Sequence, residues 1–497
     1  MRSAMPAPVL PPAATAPPPT AGLARLAPAR LSPAVLAWGL GVLFAALYCC
    51  VSLNRYRRLE SQAYDLGIFE QAVRAYAHGR APIVPLKGPG YHLLGDHFHP
   101  VLAVLAPVYR VFPDARTLLV AQAVLMALAV VPLARWACET GGRRRGVLVG
   151  CLAGASWGVA AAVGDDFHEI AFAVPLLAFA AVALGRRRPV AAVCWALPLV
   201  LVKEDLGLTV AAVAVLAFRR APLGSRARVA TVGVALFGVA ATVVTVFLIV
   251  PAFNPTGGFD YGSQLSAGQA ASAPWTVPLR LLWPPLKWLL LALMAATVGF
   301  AGLRSPLVLI CAPTLAWRLL ADNPHYWGVS YHYSAVLMPP LLAGLVEAVG
   351  RAGRRRARRT LALAALTAVL TLPFYPLRDV ALPSAWGTSE RVVQIRAALA
   401  RIPDGASVVA TNHLAAQLAG RTEVALVCRE PEPPLGALRP DGAPEGGPQW
   451  VAVDLADPSV HVPCPAAETW RMLVRYEQDL GYRVVVDDGD LVLLRHP

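Results

Sequence analysis

Apolar runs at 35–51, 117–137, 147–163, 230–250 and 361–375 approach or reach the ~20 residues a helix needs to cross a bilayer. Their number confines the chain to a membrane. The composition agrees: 57% of residues are hydrophobic and 15% charged, against roughly a quarter charged in soluble domains.

A formal net charge of +14 raises the question of nucleic acid, but its distribution answers it. Arginines cluster at 143–145, at 186–188, at 219/220 with 226/228, and across 351–359, always between apolar runs. Such clusters mark cytoplasmic loops under the positive-inside rule. No aromatic-interleaved basic groove accompanies them, so nucleic acid is excluded as a partner. Residues 1–32 are Pro/Ala-rich with Arg2, Arg25 and Arg30, a composition that reads as a disordered cytoplasmic tail. The first apolar run starts too late and is too long for a cleaved signal, so it reads as an anchor with its N-terminus inside.

Placing every arginine cluster inside predicts an all-α polytopic domain over 33–376 with about eleven transmembrane helices. A long first outer loop covers 54–115, and its apolar stretch 100–112 is too short to span and is expected at the interface. Two short stretches, 190–202 and 206–218, flank Lys203-Glu204-Asp205. They read either as two short spans or as one broken hairpin, with the charges in a protein-lined or watery cavity. Residues 377–497 emerge outside as a small extracytoplasmic α/β domain. Its strands are expected near 406–411, 450–453, 482–486 and 491–494, with helices near 390–401, 414–418 and 468–480. Of eight cysteines, Cys49, Cys50, Cys138, Cys151, Cys194 and Cys311 lie in or beside spans and read as small buried hydrophobes. Cys428 and Cys464 fall in the tail, where a disulfide is permitted.

This topology gathers four unusual polar groups on the outer side: 65–99, 165–169, 203–205 and 322–333. Asp65, in Tyr64-Asp65-Leu66-Gly67-Ile68-Phe69-Glu70-Gln71, is either a general base for an acceptor hydroxyl or a helix N-cap. His97 and His99, in Gly95-Asp96-His97-Phe98-His99-Pro100, form half a metal site, cationic phosphate ligands, or caps of the interfacial helix. Asp165-Asp166-Phe167-His168-Glu169 ends an apolar span, where charge is costly unless paired or functional. It suits a divalent metal or proton transfer, or else is a solvated loop with Glu169 as cap. Lys203 reads as a phosphate ligand or as the partner of Glu204 or Asp205. The group His325-Tyr326-Trp327 with Tyr331-His332-Tyr333 reads as interface aromatics or as a sugar- or lipid-facing wall.

Taken in order over roughly 35–350, the Tyr64–Gln71 string, His97/His99, Asp166-Phe167-His168-Glu169 and Lys203-Glu204-Asp205-Leu206-Gly207 resemble one family. It is a bacterial family of polytopic membrane proteins classed as a domain of unknown function. That family in turn resembles the GT-C superfamily of membrane glycosyltransferases, which includes protein mannosyltransferases and aminoarabinose transferases and uses polyprenyl-phosphate-linked sugars. The resemblance implies that Asp65 stands at the catalytic acid position of the first outer loop. It implies a lipid-phosphate contact at Lys203, and a cavity lined by His97, His99, Asp166, His168 and Glu169. A lone Asp65 before Leu66 replaces the adjacent acidic pair of many GT-C members.

The expected activity is an inverting sugar transfer, in the cytoplasmic membrane, from a polyprenyl-phosphate donor to an extracytoplasmic glycan, lipid or protein. Asp65 would take the acceptor proton. Lys203 and a histidine would stabilise the departing phosphate, with Glu204, Asp205, His332 and Tyr333 completing the substrate site. A divalent metal at Asp165, Asp166, His168 and Glu169 is optional, and no other cofactor is expected. The rival readings are a lipid or solute transporter using the intramembrane charges, and a non-catalytic scaffold. Only one broken helix pair is visible, where transporters often show matching halves.

Overall fold

The computed structural model describes residues 32–264, 275, 277–428, 447–457, 459 and 462–497, so the reading of the first 31 residues as disordered lies outside it. Five helices are long and apolar enough to cross a membrane: Pro33–Arg57, Ala115–Gly141, Arg226–Phe253, Pro324–Arg351 and Arg354–Phe374. A sixth forms if Arg143–Gly154 and Trp157–Gly164, bent by 42°, count as one span. Shorter apolar helices occupy Glu169–Gly185, Pro189–Leu201, Lys287–Thr297 and Pro306–Leu320. The sequence count of about eleven crossings goes beyond the five or six helices of sufficient length, because it takes each short apolar stretch as a full span.

Local chemistry explains the shortness. Pro198 stands in the tightened turn Leu197–Leu201, where a missing N–H and a fixed φ end the helix before Lys203. The chain then re-enters as Leu206–Arg220, which packs against both Pro189–Ala196 and Arg226–Val244. With no hydrophobic gain between helices in lipid, close packing matters more. A Cβ on Gly207 would lie 2.4 Å from Gly238 O, and one on Gly238 would lie 2.4 Å from Gly207 O. Only glycine permits that approach.

The tail forms a five-stranded sheet in the order β2-β1-β3-β5-β4. Its strands are β1 (Ser407–Ala410), β2 (Glu423–Leu426), β3 (Trp450–Asp454), β4 (Arg483–Asp487) and β5 (Leu491–Arg495). β1 pairs in parallel with β2 and β3, while β3–β5 and β5–β4 are antiparallel. The β4–β5 hairpin turns at Asp488-Gly489, where Gly489 has φ +91°. β2 is the strand the sequence reading omits. The stretch 100–112 is the tight helix Pro100–Leu105 followed by Ala106–Val111.

Three cores organise the described residues. One fills the helical body around Trp157, Leu177, Val210 and Leu341. The second joins the first loop to the tail: Leu66, Phe69, Leu86 and Leu102 pack with Leu414, Leu418, Val424 and Leu493. Each such buried side chain contributes about 1.5–3 kcal/mol outside the membrane. The sheet is thus a wall of the first loop. Its far face closes around Val451, Met472 and Tyr482, beside a Cys428–Cys464 disulfide with a Cα–Cα distance of 6.0 Å.

Candidate functional site

Asp65 lies in the π-helical turn Ala63–Gly67, whose wide geometry ends in helix Ile68–Ala77. Two side chains hold this turn from opposite sides. Asp166 Oδ2 accepts from Gln62 N–H at 2.8 Å, and Asn412 Oδ1, from the tail, accepts from Tyr64 N–H at 3.0 Å. Asn412 Nδ2 also donates to Gln62 Oε1 at 3.2 Å. Asp65 is therefore not the expected helix N-cap, since Gly67 precedes the helix and no side chain caps it.

The segment 165–169 follows helix Trp157–Gly164 in a turn where Asp166 adopts φ +55°, a region Asp tolerates better than most residues. Gln122, buried in an apolar helix, fixes it. Its Nε2 donates to Ala162 O at 3.0 Å and to Asp166 O, and its Oε1 accepts from His168 N–H at 2.9 Å. His168 is thereby turned toward Asp65, with Nε2 lying 3.2 Å from Asp65 Oδ1. This is a close ion pair without hydrogen-bond alignment, and neither buried ring nitrogen of His168 has a hydrogen-bond partner. Burial opposes the His168 charge, but Asp65 first, then Asp165 and Glu169, overcome it and lift its pKa to about 9. His168 is an imidazolium at neutral pH.

His332 stacks on His168 with ring centroids 3.5 Å apart. Asp165 Oδ2 lies 2.7 Å from His332 Nδ1 and accepts from the His332 backbone N–H at 3.0 Å. Among the described residues Asp165, His168 and His332 form one group of metal-capable donors, each offering an atom within 4.8 Å of the others. Sequence reasoning assembled a different set. Asp166 points away to Gln62, and burial raises its pKa to about 6. Glu169 pairs with Lys203 at 2.8 Å.

That ion pair also corrects the reading of Lys203, whose partner is neither Glu204 nor Asp205. Burial opposes its charge, yet Glu169, Glu204 and Asp205 hold its pKa above the ordinary lysine value. At 12% side-chain exposure it offers a phosphate its field more than an open ammonium. Glu204 turns instead to His97, with Oε1 at 2.7 Å from His97 Nδ1, and Oε2 accepts from Phe98 N–H at 3.1 Å. Asp205 Oδ2 accepts from Trp317 Nε1 at 2.8 Å, and burial raises its pKa to about 6. His99 is buried against Phe69, and burial pushes its pKa down to about 4. Burial thus disfavours a cationic His99. Tyr333 lines the same region, tilted over His332 and edge-on to Tyr326.

Several residues here escaped the sequence reading. Tyr261 stacks on His97 and donates to Asp96 at 3.1 Å, while Lys87 pairs with Asp96 at 2.9 Å. Arg318 is fully buried, bonding the carbonyls of Tyr326, Gly328 and Tyr333 and the Ser334 hydroxyl, which fixes the aromatic loop. Its signal was present: a lone arginine in an apolar run needs a partner. Gln122 carries the same signal. Nothing in the sequence marks Asn412.

Loops from four separate regions thus converge at one end of the helical body: a half-buried carboxylate beside a buried imidazolium, bordered by a Lys–Glu pair and an aromatic wall. The fold is similar to that of ArnT from Cupriavidus metallidurans, solved bound to undecaprenyl phosphate. The likeness has a TM-score of 0.52 at 13% identity and covers 93% of this chain and 98% of that one. An oligosaccharyltransferase from Archaeoglobus fulgidus, solved in complex with zinc and sulfate, aligns at 12% identity and a TM-score of 0.41, covering 92% of this chain and 73% of that one. No curated protein matches the chain. Residues 55–486 match the family described as predicted membrane protein (DUF2079), a span that takes in the whole site and most of the tail sheet. The chain belongs to the DUF2079 family of predicted membrane proteins, and its fold is similar to that of ArnT.

Proposed function

We propose that this protein is a GT-C-type glycosyltransferase moving a sugar from a polyprenyl-phosphate donor to an acceptor on the outer face of the cytoplasmic membrane. The observation that carries this reading is the Asp65–His168 pair: a carboxylate 35% exposed, backed by a side chain only 4% exposed, at the loop end of the helical body. The likeness to a protein solved with undecaprenyl phosphate supports the donor class. In this reading eleven crossings, five of them short, put the site outside. The arginine clusters at the opposite end and the tail disulfide support that orientation.

Asp65 accepts the proton of the acceptor hydroxyl as its oxygen bonds to the anomeric carbon. The bond from that carbon to the phosphate oxygen breaks, and the electron pair leaves with the lipid phosphate. His168 orients Asp65, and its positive charge together with the field of Lys203 stabilises the leaving phosphate. His332 and Tyr333, tilted 40° to each other, supply an aromatic wall for the sugar.

Asp165, His168 and His332 also fit a divalent cation if His168 is deprotonated, a state that replaces its ion pair with Asp65. They are mixed O and N donors, and the ring nitrogens of His168 lack partners. Such an ion would supply Lewis-acid stabilisation of phosphate charge. Activity unchanged after thorough chelation would remove it.

The test is turnover of polyprenyl-phosphate-linked sugars by purified protein in nanodiscs, with release of polyprenyl phosphate followed by mass spectrometry. Asp65→Asn should cut the rate by about 10²-fold or more. Full activity in that variant would sink the assignment of the base.

A further inference from the structure

At the other end of the helical body, a cavity of about 200 Å³ is lined by Arg304, Ser305, Arg351 and Arg356 with small alanine walls. It lies far from Asp65. His332 and Arg351 stand at opposite ends of one helical segment, about 28 Å apart at 1.5 Å per residue. The three arginines come from three elements: the helical turn Ala301–Arg304, the end of helix Met338–Arg351 and the start of helix Arg354–Thr371.

The backbone there is tightly built. Gly299 has φ +54°, and a Cβ on it would lie 2.2 Å from Thr360 O, so the turn is pressed onto the last helix. Phe300 follows with φ +57°, an uncommon conformation for a bulky residue. The nearby carboxylate is already used. Glu347, buried, accepts from Arg220 at 2.9 Å and Arg351 at 2.8 Å through Oε1, and from the Ser305 hydroxyl at 2.5 Å through Oε2. One negative charge shared by two guanidiniums leaves the cavity positive, and its arginines repel each other unless an anion joins them.

The positive-inside rule explains why arginines lie in this loop, but not why three exposed ones from three elements should border one half-open cavity. Arg354, Arg355, Arg358 and Arg359 satisfy the same rule without lining it. We infer that this cavity is a phosphate-binding site, holding the phosphate of a lipid headgroup or of a soluble phosphoester through the planar forks of Arg304, Arg351 and Arg356.

The full chain in nanodiscs of phosphatidylcholine, with and without phosphatidylglycerol, supplies the test, read as the thermal unfolding temperature during titration. Phosphatidylglycerol should stabilise the wild type, and Arg304→Gln/Arg356→Gln should need about tenfold more lipid for the same shift. Arg354→Gln/Arg359→Gln removes equal charge from the same loop outside the cavity and should behave as wild type. Inorganic phosphate added to phosphatidylcholine nanodiscs separates the sources. Stabilisation by it, lost in the cavity variant alone, assigns a soluble phosphoester. If the glutamine pair fails to fold, Arg304→Lys/Arg356→Lys keeps the charge and should still weaken the response. The inference is overturned if neither additive stabilises the wild type, or if the cavity and control variants lose the response equally.

Discussion

Asp65 Oδ1 and His168 Nε2 stand 3.2 Å apart, brought together from the first loop and from the turn after the bent helix. Their pairing has a pH signature. The His168 pKa rises from about 6.5 when unfolded to about 9 when folded. Its stabilisation is therefore complete below about pH 6.5 and lost as pH rises through about 9. The gap in unfolding temperature between wild type and Asp65→Asn should be widest near pH 6 and narrow by about pH 10. A gap independent of pH would refute the ion pair.

Asn412 carries the tail's influence into the site. Asn412→Ala removes its bonds to Tyr64 and Gln62, at a cost of about 1–3 kcal/mol. Because the loss loosens the turn bearing Asp65 rather than a donor contact, kcat should fall while the donor KM stays within about twofold. A rise in KM alone would place Asn412 in donor binding instead.

Glu70, five residues beyond Asp65, should prove structural. It is buried, accepts from Tyr109 OH at 2.9 Å, and burial raises its pKa to about 8. The folded state then holds a proton that the unfolded state releases, so wild-type stability falls as pH rises from about 4.5 through 8. Glu70→Gln should abolish that slope and retain activity, as thermal unfolding across pH and a transfer assay would report. Loss of activity with an intact fold would bring Glu70 into the chemistry.

Arg318→Met tests the buried anchor of the aromatic loop. It leaves the carbonyls of Tyr326, Gly328 and Tyr333 without their donor, and about 3 kcal/mol or more of stability should go with them. Limited proteolysis should then cut near 326–334 first. Wild-type resistance there would mean that the loop is held otherwise.

The class of this chain was legible because lipid imposes one long-range rule, that apolar runs become helices and arginines stay at one end. The same rule brought 65–99, 165–169, 203–205 and 322–333 together before any coordinates. Side-chain partners were not legible, since they depend on loop conformation. Lys203 read as a phosphate ligand or as the partner of Glu204 or Asp205, and it pairs with Glu169. His332 was placed in the substrate site and stands in the metal-capable donor group, while Glu169 and Asp166 leave it. β2, Glu423–Leu426, was missed although it is no shorter than β1, which was expected. The tail's role as a wall of the first loop rests on contacts between residues more than 300 positions apart, such as Tyr64 to Asn412, and carries no local signature.

The central claim is sugar transfer at Asp65. Mass spectrometry of envelope glycoconjugates and lipid-linked sugars, in a deletion strain carrying wild type or Asp65→Asn at equal expression, tests it most directly. The account predicts a missing glycan and an accumulated polyprenyl-linked donor, restored by wild type and not by Asp65→Asn. An unchanged glycan profile in the deletion strain, or full rescue by Asp65→Asn, would contradict it.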